Sequence, residues 1–186
     1  MKCSVYIAAS VDGFIAKKDG SVDWLHTSGN NDVDPNKIGD MGWHDFINSV
    51  DCIIMGRNTI GSISKLSAES LKKTYSNTKI YVLSNTLKNV PDNLKGCLEI
   101  YSGDLKKLMT LLEEKGHKQA YVDGGKTIQS FLDAELIDEM SITQIPVLLG
   151  EGIPLFGKTK KDINLRNVEV KQFANDFVQV KYTVEY

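Results

Sequence analysis

The stretch at positions 51–59, DCIIMGRNT, constrains the fold of this chain more than any other. Four apolar residues in succession run up to Gly56, which predicts a short strand buried on both faces. Gly56 permits a tight turn, and Asn58 and Thr59 suit the first turn of a following helix. Arg57 is therefore expected at the carboxyl end of a strand, beside the start of a helix. Because parallel sheets bind ligands at that edge and helix starts favour anions, the segment predicts an anion site.

Two later stretches repeat this pattern. Residues 79–83 and 119–122 are apolar and aromatic runs that predict buried strands. Both end in residues that can turn a strand towards a helix: Ser84, Asn85 and Thr86 after the first, and Asp123, Gly124, Gly125, Lys126 and Thr127 after the second. Three such turns at one sheet edge favour a ligand that carries phosphate. For Arg57 alone, the alternative is a surface arginine in an ion pair.

The alternation of strands and helices predicts an α/β fold with a mostly parallel sheet. The spacing of apolar residues predicts strands at 2–10 and 139–145 and an amphipathic helix at 104–115. Residues 164–173 and 177–186 alternate apolar with polar, which predicts an antiparallel hairpin at the edge of the sheet. No repeat, linker or change in composition divides the chain, so we expect a single domain over residues 1–186.

Composition limits the possible partners. Hydrophobic residues make up 41% of the 186-residue chain and charged residues 25%, which is typical of a globular protein. The formal net charge of -2 provides no general attraction for nucleic acids or acidic membranes, so we expect neither as a partner. No apolar run approaches the roughly 20 residues that span a bilayer, and the amino terminus turns polar too early for a secretory signal. A cytoplasmic protein is the expectation.

Cysteine and histidine form no metal-binding pattern. Cys3, Cys52 and Cys97 are widely spaced, and each lies in a strand-like run. This favours free thiols in a reducing compartment over a disulfide or a metal site. The three histidines have no metal-ligand spacing with one another or with the cysteines, so no metal is expected.

Motifs for several other chemistries are absent. Gly125, Lys126 and Thr127 resemble the end of a triphosphate-binding loop, but the first glycine of that motif would fall at Ala120, within a strand. The G-x-G-x-x-G dinucleotide motif is missing, and we find no serine or cysteine nucleophile arranged with a histidine. An enzyme without these groups is expected to take its chemistry from a cofactor.

Three further residues are candidates, each with an ordinary alternative. Asp12 lies in an Asp-Gly turn, which turn formation alone would explain. Trp24, in a polar loop, could anchor the core or offer a flat surface to an aromatic substrate. Thr143 lies on a predicted strand, where threonine is common.

Taken in order, several segments resemble known reductases. Residues 53–59 resemble the strand, turn and helix start of dihydrofolate reductases. Residues 9–16, the double-glycine turn and residues 137–156 resemble the reductase domain of the bacterial riboflavin-pathway deaminase-reductase. Because the matches keep their order along nearly the whole chain, it is identified as a stand-alone member of that reductase family. The resemblance implies a three-layer dihydrofolate reductase-like fold, NADPH as the cofactor and a homodimer.

The resemblance also implies a cofactor site. The residues that would contact NADPH are Ala9, Ile15, Gly56, Arg57, Asn58, Thr59, Ser84, Asn85, Gly124, Gly125, Lys126 and Thr127. Arg57 would favour the 2'-phosphate that distinguishes NADPH from NADH, and the double-glycine turn would lie under the pyrophosphate. Ala9 and Ile15 would flank the nicotinamide. In dihydrofolate reductases the matching glycine pair carries a cis peptide bond, so we expect one between Gly124 and Gly125.

The substrate side of the resemblance involves fewer residues. Asp12 matches an aspartate near the substrate ribose and the nicotinamide in the riboflavin-type enzymes, and it is the expected catalytic residue. Trp24 matches the tryptophan of dihydrofolate reductases and Thr143 matches a substrate-pocket threonine, so both are expected to bind substrate. Residues 25–30 hold no acid to match the carboxylate that contacts the pterin in dihydrofolate reductases. No match identifies a proton donor, and water could serve.

These observations lead to one functional prediction with two alternatives. We predict an NADPH-dependent reductase of a small planar heterocycle, most like 5-amino-6-(5-phosphoribosylamino)uracil reductase. A dihydrofolate reductase is the alternative enzyme. A catalytically inactive nucleotide-binding protein of the same fold is the alternative from another class.

Overall fold

The computed structural model describes residues 1–63, 68–76, 78–90 and 92–186. In these residues the strands are β1 (Lys2–Ser10), β2 (Phe14–Ala16), β3 (Cys52–Gly56), β4 (Lys79–Leu83), β5 (Leu98–Tyr101), β6 (Gln119–Asp123), β7 (Glu139–Ile145), β8 (Ile153–Pro154), β9 (Asn164–Gln172) and β10 (Val178–Glu185). The helices are α1 (Trp24–Thr27), α2 (Pro35–Ile38), α3 (Trp43–Ser49), α4 (Arg57–Ile63), α5 (Ala68–Thr74), α6 (Leu105–Glu114) and α7 (Gly125–Asp133), with a 3-10 turn at Asp92–Leu94.

One large sheet contains eight of the strands, in the order β5-β4-β3-β6-β1-β7-β10-β9. The strands from β5 to β7 in this order are parallel, and β10 and β9 complete one edge in antiparallel pairing. Strands β2 and β8 pair with each other in a small second sheet. The predicted α/β fold, with a mostly parallel sheet and an antiparallel C-terminal hairpin, is confirmed.

Helices cover both faces of the sheet. Successive residues of a strand point to opposite faces, so each strand contacts both helix layers. In β3, Cys52 and Ile54 pack in a cluster with α6 and α7, whereas Ile53 and Met55 pack in a cluster with α3, α4 and α5. All four side chains are fully buried, and burying one of this size contributes about 1.5–3 kcal/mol. The continuous apolar run of β3 therefore reflects its place in the middle of a three-layer fold, as predicted.

Helix α6 begins and ends as the sequence predicted. Asp104 caps it, since its side chain accepts a hydrogen bond from the Lys107 amide at 3.0 Å. Leu108 and Leu112 on the inner face are fully buried. Gly116, with φ at 89°, reverses the chain after the last turn.

The cysteines are free thiols. Cys3 and Cys52 are buried, and Cys97 is partly buried. Burial raises the pKa of the Cys3 and Cys52 thiols to about 12, which leaves them unreactive at neutral pH. Among the described residues no cluster of three or more potential ligands could hold a metal ion. No helix in that part of the chain is both long enough and apolar enough to cross a bilayer.

Strands β1 and β6, at the centre of the sheet, separate towards their carboxyl ends. Their pairing begins with Lys2 opposite Gln119 and its last recorded pair is Ser4 opposite Tyr121, although both strands continue beyond it. The Tyr121 hydroxyl donates a hydrogen bond to the Tyr6 carbonyl at 3.0 Å. This contact satisfies a backbone acceptor beside the separation. A cleft therefore opens between the two central strands at the edge where ligands are expected.

The polar segment after β2 is attached to the C-terminal hairpin. Trp24 in this segment is 2% exposed and packs in a small core cluster with Phe177. The Asn30 amide donates to the Asn175 carbonyl at 3.1 Å. Gly29 lies at this contact with φ at 82°, and a Cβ built on it would be 2.4 Å from the Asn175 carbonyl oxygen. The segment and the hairpin turn are therefore in backbone contact that leaves no room for a side chain.

Replacing Gly29 by alanine tests this contact. Gly29→Ala is expected to lower the free energy of unfolding by about 2–4 kcal/mol, because it combines an unfavourable positive φ with overpacking. Gly116→Ala is the matched control, since Gly116 also has a positive φ but a Cβ there would have no atom within 4 Å. The control should lose only about 1 kcal/mol. Urea unfolding of both variants measures the difference, and equal losses would contradict the close contact.

Candidate active site

Arg57 and the turn after β4 lie together at the carboxyl edge of the sheet. The Arg57 guanidinium, at the start of α4, donates a hydrogen bond to the Thr86 hydroxyl. The Ser84 hydroxyl accepts from the amides of Thr86 at 3.2 Å and Leu87 at 2.8 Å, which fixes this turn. Asn85 accepts at 2.7 Å from a serine hydroxyl that follows β5. The predicted cofactor residues Arg57, Ser84 and Asn85 thus form one exposed polar surface with an arginine at its centre.

The double-glycine turn lies next to this surface, because β6 is the neighbour of β3. A Cβ built on Gly124 would be 2.6 Å from the Thr59 hydroxyl oxygen, and one on Gly56 would be 3.0 Å from that of Thr127. A Cβ on Gly125 would be 2.6 Å from the Pro154 carbonyl oxygen. The glycines are therefore required for the starts of α4 and α7 to approach each other. Asn58 and Lys126 stand exposed at these helix starts.

The prediction of a cis peptide bond between Gly124 and Gly125 was wrong. No cis peptide bond occurs in the described residues, which include this pair. The turn is made instead by Gly124 with φ at 91° and ψ at 134°. Glycine has no Cβ and adopts a positive φ without a steric penalty. The chain therefore reverses direction here with a trans peptide bond.

Ala9 and Ile15, predicted to flank the nicotinamide, lie on either side of the turn that follows β1. Ala9 is 4% exposed and belongs to the core beneath α6 and α7. The Ile15 side chain packs against the same core, and its Cδ1 would be 3.2 Å from a Cβ built on Gly125. Ile15 therefore borders the double-glycine turn directly.

Asp12 is held by hydrogen bonds to the loop after β7. Its carboxylate accepts from the Leu149 amide at 3.2 Å, the Gly150 amide at 2.7 Å and the Ser10 hydroxyl at 2.6 Å. The Ser10 hydroxyl and these amides lower the pKa of Asp12 below its ordinary 3.8. The carboxylate is therefore ionised at neutral pH, and it suits accepting hydrogen bonds rather than donating a proton.

Of the two residues predicted for the substrate pocket, Trp24 is a core residue in this structure, packed against Ile145 and the hairpin. Thr143 is 4% exposed, and its hydroxyl accepts from the Gln179 amide nitrogen at 3.0 Å. That nitrogen also donates to the Tyr6 hydroxyl at 3.0 Å, and Tyr6 in turn donates to the Met41 carbonyl at 2.6 Å. Thr143 thus belongs to a polar network beneath α3.

The network stands beside a group of rings that we call the α3 ring cluster: Tyr6, Trp43, Phe46, Tyr75 and Tyr121. Tyr6 and Phe46 stack with centroids 4.7 Å apart, and Trp43 lies 5.6 Å from Tyr6 and 5.8 Å from Tyr121. A groove of about 360 Å³ begins at Tyr6 and Phe46 and runs along the sheet towards its amino edge. The sequence reasoning missed Tyr6 and Tyr121, since each resembles an ordinary strand residue.

Asp123 is a further residue that sequence reasoning left without a role of its own. It ends β6, two residues after Tyr121, so it points to the same face as the α3 ring cluster. Burial raises the pKa of the Asp123 carboxyl, while the neighbouring Tyr121 hydroxyl and the Gly124 amide oppose the rise. The feature of the sequence that could have indicated a role for Asp123 is its position immediately before the double-glycine turn.

The hydrogen bonds of Asp12 predict a pH-dependent effect on stability. Because its folded-state pKa is lowered, its contribution is present above about pH 4 and is lost as the pH falls through the lowered value. Asp12→Asn should therefore shift the urea midpoint downwards near pH 7 and leave it close to wild type near about pH 2. Asp162→Asn, an exposed change away from this loop, serves as the control. Equal shifts at both pH values would contradict the assignment.

Comparisons with known proteins agree on the family and the fold. The sequence pattern of the RibD C-terminal domain family matches residues 2–179. The chain is 34% identical over 183 residues to YwjB of Bacillus subtilis strain 168, a protein described as uncharacterized, and 97% of each chain is covered.

Two solved structures extend the comparison. A proposed riboflavin biosynthesis protein from Shewanella sp. PV-4 is 37% identical, with a TM-score of 0.86 and all of both chains covered. Dihydrofolate reductase from Enterococcus faecalis, solved in complex with NADP(H) and RAB-propyl, is 13% identical with a TM-score of 0.65. That comparison covers 100% of this chain and 97% of the other, and it shows a shared fold.

Proposed function

The chain belongs to the RibD C-terminal domain family, and from that premise we propose that it is a stand-alone NADPH-dependent reductase of a small planar heterocycle. The family is one of reductases in riboflavin biosynthesis. The observation that carries the proposal is the alignment of Arg57, Ser84 and the double-glycine turn along one edge of the sheet. Such an edge, ending at a cleft between two central strands, suits a long anionic ligand with a flat end.

The residues present fit NADPH along this edge. Arg57 and Ser84 would hold the 2'-phosphate end, since a planar fork of donors suits a phosphate monoester. The start of α7, with Lys126 and the Thr127 hydroxyl, would face the pyrophosphate. Ile15 and the β1–β6 cleft would enclose the nicotinamide. When bound, NADPH supplies the hydride, and the chain itself has to orient the substrate, exclude water and supply a proton.

We assign the proton to Asp123 in this proposal. It lies at the end of β6, beside the cleft and the α3 ring cluster, and burial favours its protonated form. A protonated carboxyl there could donate to the heteroatom of a polarised C=N or C=O bond as its carbon receives hydride. The ionised Asp12 would accept hydrogen bonds from the substrate. Thr143 would contribute to substrate binding through its hydrogen bond with Gln179. Trp24 would support this pocket from the core.

The ribosylaminopyrimidines of riboflavin biosynthesis are the first substrates to test, because 5-amino-6-(5-phosphoribosylamino)uracil reductases are what the chain most resembles. Dihydrofolate is the second, because the fold is shared with dihydrofolate reductase and Trp24 has its counterpart there. Oxidation of NADPH by the purified protein, followed by the loss of its absorbance, ranks these candidates, with quinones as a further class. Saturable quenching of protein fluorescence by NADPH tests the cofactor itself. Quenching that does not saturate below about 1 mM NADPH would contradict the enzyme proposal and favour an inactive protein.

A cytoplasmic location, expected from the sequence, and a homodimer, expected from the family, belong to the same proposal. Light scattering of the purified chain at several concentrations measures its mass in solution. A mass equal to that of one chain at every concentration would contradict the dimer.

Substitution of Arg57 tests the cofactor end of the site. Arg57→Ala is expected to weaken NADPH binding by about 10- to 100-fold, because it removes a charged hydrogen bond to the 2'-phosphate, and to leave NADH binding unchanged. Arg166→Ala is the control, since Arg166 pairs with Glu185 on the outer hairpin at 2.9 Å. Fluorescence titration with NADPH and with NADH gives the ratio of the two dissociation constants. An unchanged NADPH to NADH ratio would remove Arg57 from the site.

Substitution of Asp123 tests the proton donor. With any substrate that the NADPH-oxidation assay identifies, Asp123→Asn is expected to lower kcat by about 10²- to 10⁴-fold while NADPH binding stays close to wild type. A donor must be protonated, so wild-type kcat should fall as the pH rises through the raised pKa of Asp123. The variant should lack that limb of the pH profile. A limb that persists in the variant would assign the proton to another group.

A further inference from the structure

The strands at the C-terminal edge of the sheet have one apolar face. The register places Val170 of β9 opposite Val180 of β10, and Val180 opposite Ile142 of β7, so these three side chains form one row. A second row joins Leu165 to Val184. We call this side of the three strands the hairpin face, and its residues are Ile142, Leu165, Val168, Val170, Val178, Val180, Tyr182 and Val184. None of them is charged.

The opposite face of the same strands is polar. Glu169 lies opposite Lys181, and Lys171 lies opposite Gln179, which in turn lies opposite Thr143. Antiparallel strands that alternate in this way are typical of sheets with one face in water and the other packed on protein. The alternation in β9 and β10 therefore indicates that the hairpin face is built to be covered.

The described part of the chain covers the hairpin face only where it joins the core. Ile142 and Val184 pack against the cluster beneath α6 and α7. Val168 and Val170 belong to none of the three core clusters, and they are 57% and 66% exposed. Single exposed apolar residues are ordinary on a protein surface, but these two adjoin the half-exposed Val180. A continuous apolar patch of this kind marks an interaction site.

The dimensions and composition of the hairpin face suit a second copy of itself. Three strands about 4.8 Å apart and about eight residues long span roughly 14 Å by 26 Å. This area, about 370 Å² before the relief of the side chains is counted, is of the order of the apolar centre of an interface that buries about 800 Å² on each partner. Because the face carries no charge, two copies can oppose it about a twofold axis without repulsion. Valine-rich faces pack in this way in sheet sandwiches.

The edge of β9 is less suited than its face to contact a second copy. Asn167 has a φ of 51°, and the pairing of β9 with β10 shifts its register beside it, between Lys181 and Thr183. Such a bulge interrupts the row of backbone groups that an added strand would need. Charged residues along the strand, Arg166 and Glu169 among them, also discourage pairing at the edge.

From these observations we propose that two copies of this chain pair through the hairpin face, sheet against sheet, about a twofold axis. The inference rests on the homodimer of the proposed function and assigns it a surface. Thr143 and Gln179 point to the opposite face of β7 and β10, because each alternates with residues of the hairpin face. The dimer therefore packs against the back of the strands that carry these two residues, and leaves the sheet edge with Arg57 open to the cofactor.

Lysine substitutions on the hairpin face test the proposal. The double variant Val168→Lys/Val170→Lys is expected to raise the dissociation constant of the dimer at least about 100-fold, because it places ammonium groups of both copies in an apolar interface. Sedimentation equilibrium of the full chain, at about 1 to 100 μM, measures the mass. Wild type should have twice the mass of the 20.7-kDa chain, and the variant should have the mass of one chain. Val170→Lys alone should raise the constant about tenfold.

The matched control is Glu169→Lys, which makes the same change of two charge units on the opposite face of the same strand. It should leave the dissociation constant unchanged. A dimer that persists in both valine variants, or an equal loss of the dimer in the control, would overturn the inference. A wild-type chain with the mass of one copy at every concentration would overturn it together with the homodimer. NADPH titration of the same samples separates these results from failure of the reductase proposal, which requires that NADPH itself does not bind.

Discussion

The separation of β1 from β6 is the constraint on which the candidate site depends. A parallel sheet that paired fully along its central strands would leave no opening at its middle, and ligands could only lie across its edge. Here the last recorded pair is Ser4 with Tyr121, and the Tyr121 hydroxyl bonds the Tyr6 carbonyl at 3.0 Å. A side chain thus satisfies a backbone acceptor at the point where the strands diverge, so that the cleft does not leave this buried polar group unpaired.

The two halves of this edge differ in charge and in surface. On the β3–β4 side, Arg57 stands among hydroxyls and amides, with exposed Lys126 at the start of α7. On the β1–β7 side, half-buried aromatic rings pack beside the hydrogen-bonded Tyr6, Thr143 and Gln179. The strand order therefore brings turns that lie far apart in the sequence to one edge of the sheet.

Much of the fold could be predicted from the sequence, because its signals are local. The fully buried strand β3 was recognisable from its apolar run, α6 from the spacing of its apolar residues, and the hairpin from its alternation. The substrate side was much less predictable. The bond between Tyr6 and Gln179 joins residues 173 positions apart, and no local pattern indicates it. Trp24 remained ambiguous because burial depends on the hairpin that packs on it. The prediction of a cis bond at Gly124 was wrong because Gly124, with a positive φ, forms the turn with a trans peptide bond.

Asp12 and Asp123 show how one edge of a sheet can shift the pKa values of two carboxyl groups in opposite directions. Asp12 lies outside the core and accepts hydrogen bonds from two amides and a hydroxyl, all of which favour its ionised form. Asp123 ends the central strand on the side of the α3 ring cluster, where loss of water favours its protonated form. Carboxyl groups whose surroundings shift their pKa values in opposite directions are suited to opposite tasks. In the proposed function, Asp12, which the family resemblance singled out, would therefore be the acceptor, and Asp123, which it did not, would be the donor.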